Sequence, residues 1–156
     1  MALRILLKSE DPVLRQKCRE ITVFDDRLHQ LLDDMYETMT NVNGVGLAAI
    51  QVGILRRAAV IDVGEGPIEL INPVITEKSE ETISMTEGCL SFPGMCGIVQ
   101  RPKTVTVQAF DRNGNLFSLT GEELLARAIC HEVDHLDGVV YMDIATEMLE
   151  PSEEDD

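Results

Sequence analysis

Along residues 24–44, FDDRLHQLLDDMYETMTNVNG, apolar side chains recur at Leu28, Leu31, Leu32, Met35, Tyr36, Met39 and Val42. That is the i, i+3, i+4, i+7 stripe of an amphipathic helix. Asp25 or Asp26 is suited to cap its start and Gly44 to end it. The stripe reads as core packing, and His29 beside it as a surface or packing residue. Between residues 57 and 110 the pattern turns to strand-like runs, RAAVIDV, IELINPVI, EETISM and TVTVQAF, punctuated by Gly, Pro and Asn. DRNGN at 111–115 is a hairpin turn signal, with Asn113-Gly114 suited to positive φ. Thr120 and Glu123 form a T-x-x-E capping box that opens a second helix. Leu124, Leu125, Ala128, Ile129 and Leu136 give that helix its apolar face, with HEVDH near its middle. Helix, strands, helix predicts a single α+β domain, its antiparallel or mixed sheets packed around the second helix.

A chain of 156 residues holds one compact domain with a real core and is short for two. Its apolar runs are too short to span a bilayer. The N-terminal MALRILLKSEDPVLRQ is broken by Arg4, Lys8, Glu10 and Asp11 and lacks a signal-peptide pattern. A cytoplasmic protein is expected. The net charge of −15 argues against general affinity for nucleic acid, which rests on neutralising phosphates. The excess is uneven: the last ten residues, EMLEPSEEDD, carry six acids and no base. Residues 1–146 are therefore expected to form the domain and 147–156 a solvated, frayed acidic tail. Cys18, Cys89, Cys96 and Cys130 form no CxxC pair, so reduced thiols are expected, by default as small buried hydrophobes.

The densest chemistry lies in RAICHEVDHLDG at 127–138. His131 and His135 fall one helical turn apart on one face, and Glu132 follows the first of them. This is the HExxH pattern, in which two histidines hold a divalent metal and the glutamate works on a water. A catalytic zinc or iron normally takes three protein ligands, so one is missing. EGCLSFPG at 87–94 offers Cys89, next to a glycine and ahead of a Pro93-Gly94 turn, and a thiolate suits zinc or iron. GVGLAAIQ at 44–51 is a small-residue loop after the first helix. Alone, each of these two stretches also reads as a structural turn.

Together the segments resemble the three motifs of peptide deformylase, GxGLAAxQ, EGCLS and HExDH, complete at the named positions and spanning residues 44–138. The resemblance implies a deformylase-like fold around a metal-bearing helix. It also implies an enzyme that removes the formyl group from the N-terminal formyl-methionine of new polypeptides, releasing formate. The metal ligands would be Cys89, His131 and His135. The ion would be Fe²⁺ in the cell, replaceable by Zn²⁺, Ni²⁺ or Co²⁺, and would make a bound water acidic enough to react near neutrality. Glu132 would be the general acid and base. The Gln51 amide and the Leu90 N–H would stabilise the oxyanion. Val45, Gly46 and Gly88 would pair with the substrate backbone, while Val45, Met85, Leu124 and Ala128 would line the methionine pocket. The implied partners are nascent formyl-methionyl polypeptides, with no nucleic acid or membrane.

Around that set, Glu87 and Arg101 match positions that form a supporting ion pair. Asp134 either orients a ring or faces solvent. Three positions depart from the family. Cys130 stands where Gln is frequent and is expected to pack. Cys96 stands where many bacterial members carry an arginine at the rim of the site. Arg127 stands where a small apolar residue often lines the pocket, so either its stem covers the pocket or its head snorkels away. The acidic tail is not the basic helix that some bacterial members dock on the ribosome, so ribosome contact would need another surface. Two other readings share these residues: a relative acting on another N-acyl group, and an HExxH metallopeptidase. The latter would take a downstream His or Glu as third ligand and leave EGCLS unexplained.

Overall fold

The computed structural model describes residues 2–8 and 11–149. The first helix, α1 (Asp26–Asn41), starts where the pattern predicts: Asp25 Oδ1 accepts the Leu28 N–H at 3.1 Å. Its apolar stripe is buried, with Leu32, Met35 and Met39 wholly enclosed. Each such side chain contributes about 1.5–3 kcal/mol relative to exposure. The helix end differs from the expectation. Asn43, at φ 58°, takes the left-handed position, while the Gly44 N–H bonds to Met39 O at 2.9 Å. Gly44 is wanted for room instead, because a Cβ there would stand 2.7 Å from Leu90 Cδ1.

Eight strands follow or flank the helices: β1 (Gly46–Ala48), β2 (Ala58–Ile61), β3 (Ile68–Lys78), β4 (Thr82–Cys89), β5 (Phe92–Pro102), β6 (Thr104–Phe110), β7 (Leu116–Glu122) and β8 (Glu147–Leu149). They make a five-stranded sheet, β1-β2-β3-β6-β7, and a three-stranded sheet, β4-β5-β8. Every pairing is antiparallel. The second helix, α2 (Leu124–Leu136), packs against β1, β2, β6 and β7 of one sheet and β5 of the other. One apolar core lies between α1 and the β1–β3 side, a second between α2 and β2, β3 and β6. The expected α+β arrangement around α2 is present. Among the described residues no helix is long and apolar enough to cross a membrane.

Three local expectations are corrected. The T-x-x-E box does not cap α2, because Thr120 belongs to β7 and its hydroxyl meets that of Thr106 at 2.8 Å. Glu123, at φ 54°, turns the chain directly from strand into helix without a side-chain cap. The helix begins at Leu124, and because it ends at Leu136, HEVDH occupies its C-terminal end rather than its middle. Secondly, the reversal after Cys89 is not at Pro93-Gly94. Cys89 pairs with Phe92 across Leu90-Ser91, after a register shift between Glu87 and Cys89. Thirdly, the acidic segment does not fray from residue 147. Residues 147–149 pair with Ile98, Gly97 and Cys96 of β5, and the Met148 sulfur covers Gly97 where a Cβ would come within 2.7 Å. The remainder of the expected tail, 150–156, lies outside the described residues.

Candidate metal centre

The end of β4 and the end of α2 bring Cys89, His131 and His135 together. Their ligand atoms all lie within 4.8 Å of one another, with Cys89 Sγ 3.2 Å from His135 Nε2. His131 uses its other ring nitrogen elsewhere: Nδ1 donates to Glu87 Oε1 at 2.7 Å, since a carboxylate can only accept. That bond fixes the tautomer and leaves Nε2 for an ion. Glu87 is in turn held by Arg101, whose Nε and Nη2 reach its two oxygens at 3.0 and 2.8 Å. The expected ion pair is thus present and buried. Arg101 Nη1 also donates to Asp134 Oδ2 at 2.6 Å, so Asp134 supports the arginine and does not touch a histidine ring.

The electrostatics of the cluster favour a cation. Burial opposes charge on His131, but Cys89 and Glu87 push its pKa up to about 10. Burial and the neighbouring His131 push His135 well below its usual value. Glu87 stays ionised: although burial opposes its charge, Arg101 and His131 hold it far below the carboxylate range. A divalent ion among a thiolate and two imidazoles would replace the proton on His131 as counter-charge. The donor set, its spacing and its carboxylate support fit such an ion.

Glu132 lies against this cluster, 3 % exposed, with Oε1 lacking any protein partner. Burial, reinforced by Glu87 and opposed by His131, raises its pKa to about 7. Gly46 makes the space for it, since a Cβ there would overlap Glu132 Oε2. Gln51 is fixed from both ends: its Oε1 accepts the Ala48 N–H at 2.9 Å, and its Nε2 donates to Ser91 Oγ at 3.2 Å and Cys89 Sγ at 3.4 Å. Ser91, wholly buried, has no chemistry of its own in the sequence and was not expected here.

Gln51, Glu87, Cys89, His131 and Glu132 line a cleft of about 390 Å³. Val45, Gly46, Gly88, Leu90, Leu124 and Ala128 border it as expected, and Asn43 and Thr86 border it unexpectedly. Met85 is a correction. It is 46 % exposed on β4 and is not part of the lining, because its neighbour Thr86 takes that place. Cys130 packs in the core among Ile61, Leu70 and Ile129, as the helix geometry predicts. Arg127 lines the cleft, and its head does not snorkel. It turns inward to Glu87 Oε2 at 2.5 Å.

The sequence model of polypeptide deformylase matches residues 3–150. The chain belongs to this family. It is 57 % identical over 143 residues to the peptide deformylase of Caldicellulosiruptor bescii, covering 92 % of this chain and 86 % of that one. With the peptide deformylase of Caldanaerobacter subterraneus it shares 52 % identity over 153 residues, 98 % of this chain and 96 % of the other. The crystal structure of the Thermotoga maritima peptide deformylase superposes with a TM-score of 0.91 at 41 % identity, covering 92 % and 98 %. The protein is a deformylase, a metal-dependent hydrolase that removes the N-formyl group from nascent polypeptides. Of the described acids downstream of His135, Asp137 pairs with Arg57 and Asp143 with Arg15. The group that lies beside the HExxH histidines and could complete a set of three donors is the Cys89 thiol.

Proposed function

We propose that Cys89, His131 and His135 hold one divalent ion, Fe²⁺ in the cell, and that Glu132 moves the protons of deformylation. The observation that carries this reading is the convergence of three donors beside a buried carboxylate, Glu132. When bound, the ion supplies Lewis acidity that polarises the formyl oxygen and activates water near neutral pH. Glu132 takes a proton from the attacking water and later delivers it to the leaving amine, which departs poorly unless protonated. The Gln51 amide and the Leu90 N–H donate to the oxyanion that develops on the formyl group. Because the Ala48 N–H and Ser91 hold Gln51 in place, little reorganisation is needed as that charge appears.

The substrate enters between two free strand edges. β1 and β4 are the outer strands of their sheets, and both border the cleft through Val45, Gly46 and Gly88. An extended peptide can pair with such edges through its backbone. Leu124, Ala128 and Val45 present apolar surface for the methionine side chain. Since the substrates are newly made chains, the enzyme works in the cytoplasm, where translation supplies them. A thiolate–imidazole site accepts Zn²⁺, Ni²⁺ and Co²⁺ as well, and Fe²⁺ there is sensitive to oxygen.

The test uses protein purified without oxygen. Its metal is determined, and it is incubated with formyl-Met-Ala-Ser. Iron with stoichiometric formate and intact Met-Ala-Ser is expected, with activity falling on exposure to air. Cleavage between Met and Ala would make it a peptidase, and no loss in air would remove iron as the working metal. Gln51→Ala tests the oxyanion role. Losing one such donor lowers kcat on the order of 10²–10³-fold, with KM little changed. A change in KM alone would make Gln51 a binding residue.

A further inference from the structure

We propose that Arg127 is a positioning residue of the metal centre: with Arg101 it clamps Glu87, so that His131 stays anchored through Nδ1. The proposal rests on the ligand reading above. Glu87 Oε2 receives Arg101 Nε at 3.0 Å and Arg127 Nη1 at 2.5 Å, while Oε1 receives Arg101 Nη2 and His131 Nδ1 at 2.8 and 2.7 Å. Without Arg127 one oxygen would keep a single, longer bond, and the carboxylate could rotate away from His131.

Charge gives a second reason. Arg101 is shared, with its third nitrogen on Asp134. One guanidinium would then face two carboxylates, beside the Cys89 thiol and the Glu132 carboxylate. Arg127 balances the group with two cations against Glu87 and Asp134. Its remaining donors tie the site together: Nη1 also reaches Val99 O at 3.0 Å on β5, and Nη2 reaches Ile83 O at 2.7 Å on β4. Helix α2, which carries the histidines, is thereby joined to both strands of the hairpin that carries Cys89. A wall residue needing only its methylenes would send its head to water. Here the side chain is 6 % exposed, and burying a guanidinium is costly unless its partners are fixed. Lysine could supply the charge but not the fork that spans Glu87 and two carbonyls.

The experiment compares the wild type with R127M, R127K and, as a control for loss of an ion pair far from the site, R112M, which breaks contacts to Glu69 and Asp33. Co²⁺ affinity is measured by competition with a chromophoric chelator, together with the thiolate-to-cobalt absorption band and the kinetics of formyl-Met-Ala-Ser turnover. Support for a metal-bound histidine typically governs affinity by about 10–100-fold. R127M is expected to weaken Co²⁺ by that factor, shift the band and lower kcat with KM nearly unchanged. R127K should recover part of the loss, and R112M should bind Co²⁺ like the wild type. Wild-type affinity and band in R127M, or an effect on KM alone, would overturn the proposal and leave Arg127 as cleft wall. Should R127M not fold, R127K decides: weakened Co²⁺ binding at an unchanged melting temperature supports the role, and unchanged binding overturns it. Failure of the wild type itself to bind Co²⁺ with a thiolate band would overturn the ligand reading, a result distinct from all of these.

Discussion

Glu132→Gln is expected to retain its metal and bind formyl-Met peptides, yet to lose formate release by about 10²–10⁴-fold, the usual worth of a positioned acid or base. The substitution keeps the shape of the side chain, which matters because Gly46 leaves room for its oxygens and for nothing larger. It removes a basic oxygen from a side chain that lines the cleft and whose Oε1 has no protein hydrogen-bond partner. Burial holds the carboxyl near pH 7, where it can both take and return a proton, and an amide can do neither. Cys89, His131 and His135 are untouched, so metal content should not change. Metal analysis, peptide binding by calorimetry and a formate assay separate these effects. Turnover within tenfold of the wild type would remove Glu132 from the proton path. Loss of metal would make it part of the ligand set.

Cys89→Ala should lose the metal itself. The thiol is the only sulfur in the cluster, and His131 and His135 alone fall short of the three donors such a site needs. Occupancy after gel filtration should fall from about one ion per chain to near zero. With the ion goes Lewis-acid stabilisation worth several kcal/mol, so activity should drop on the order of 10³-fold or more. Cys18 and Cys96 provide the contrast. Cys18 is buried against Ala48, Ile50 and Leu136, where burial pushes its thiol up to about 11, and Cys96 sits on β5 opposite Leu149. Replacing either with Ala should leave metal content intact. Full metal and activity in Cys89→Ala would mean that the third ligand has been misassigned.

Local periodicity carried much of the fold. The stripe from Leu28 to Met39 placed α1, and Asp25 capped it, because both depend on residues within one or two turns. TVTVQAF matches β6 from end to end, since alternation alone puts Val105, Val107 and Ala109 on the buried face. The pair His131 and His135 needed only a helix to share a face, and Cys130 only the same helix to point elsewhere. Motif order supplied Cys89 and Gln51, which no periodicity marks.

What the sequence by itself determined, then, is the set of groups and the elements that carry them. What the tertiary structure decided is which partners they meet. β5 and β8 have no alternation to read, with Pro93, Gly94 and Gly97 in one and acidic neighbours around the other. β5 exists because it is the return strand of a hairpin with β4, and β8 because β5 pairs with it across a long stretch of chain. Thr120 is a fair helix cap in isolation, but β6 offers its backbone a full ladder of bonds and keeps it in β7. Thr86 and not Met85 borders the cleft, which no local pattern announces. Arg127 shows the limit most clearly. Its stem and charge are visible in the sequence, but its head chooses between water and Glu87 only once β4, 40 positions earlier, lies against α2. A buried charge goes where a fixed, desolvated counter-charge awaits it, and only the assembled fold supplies one.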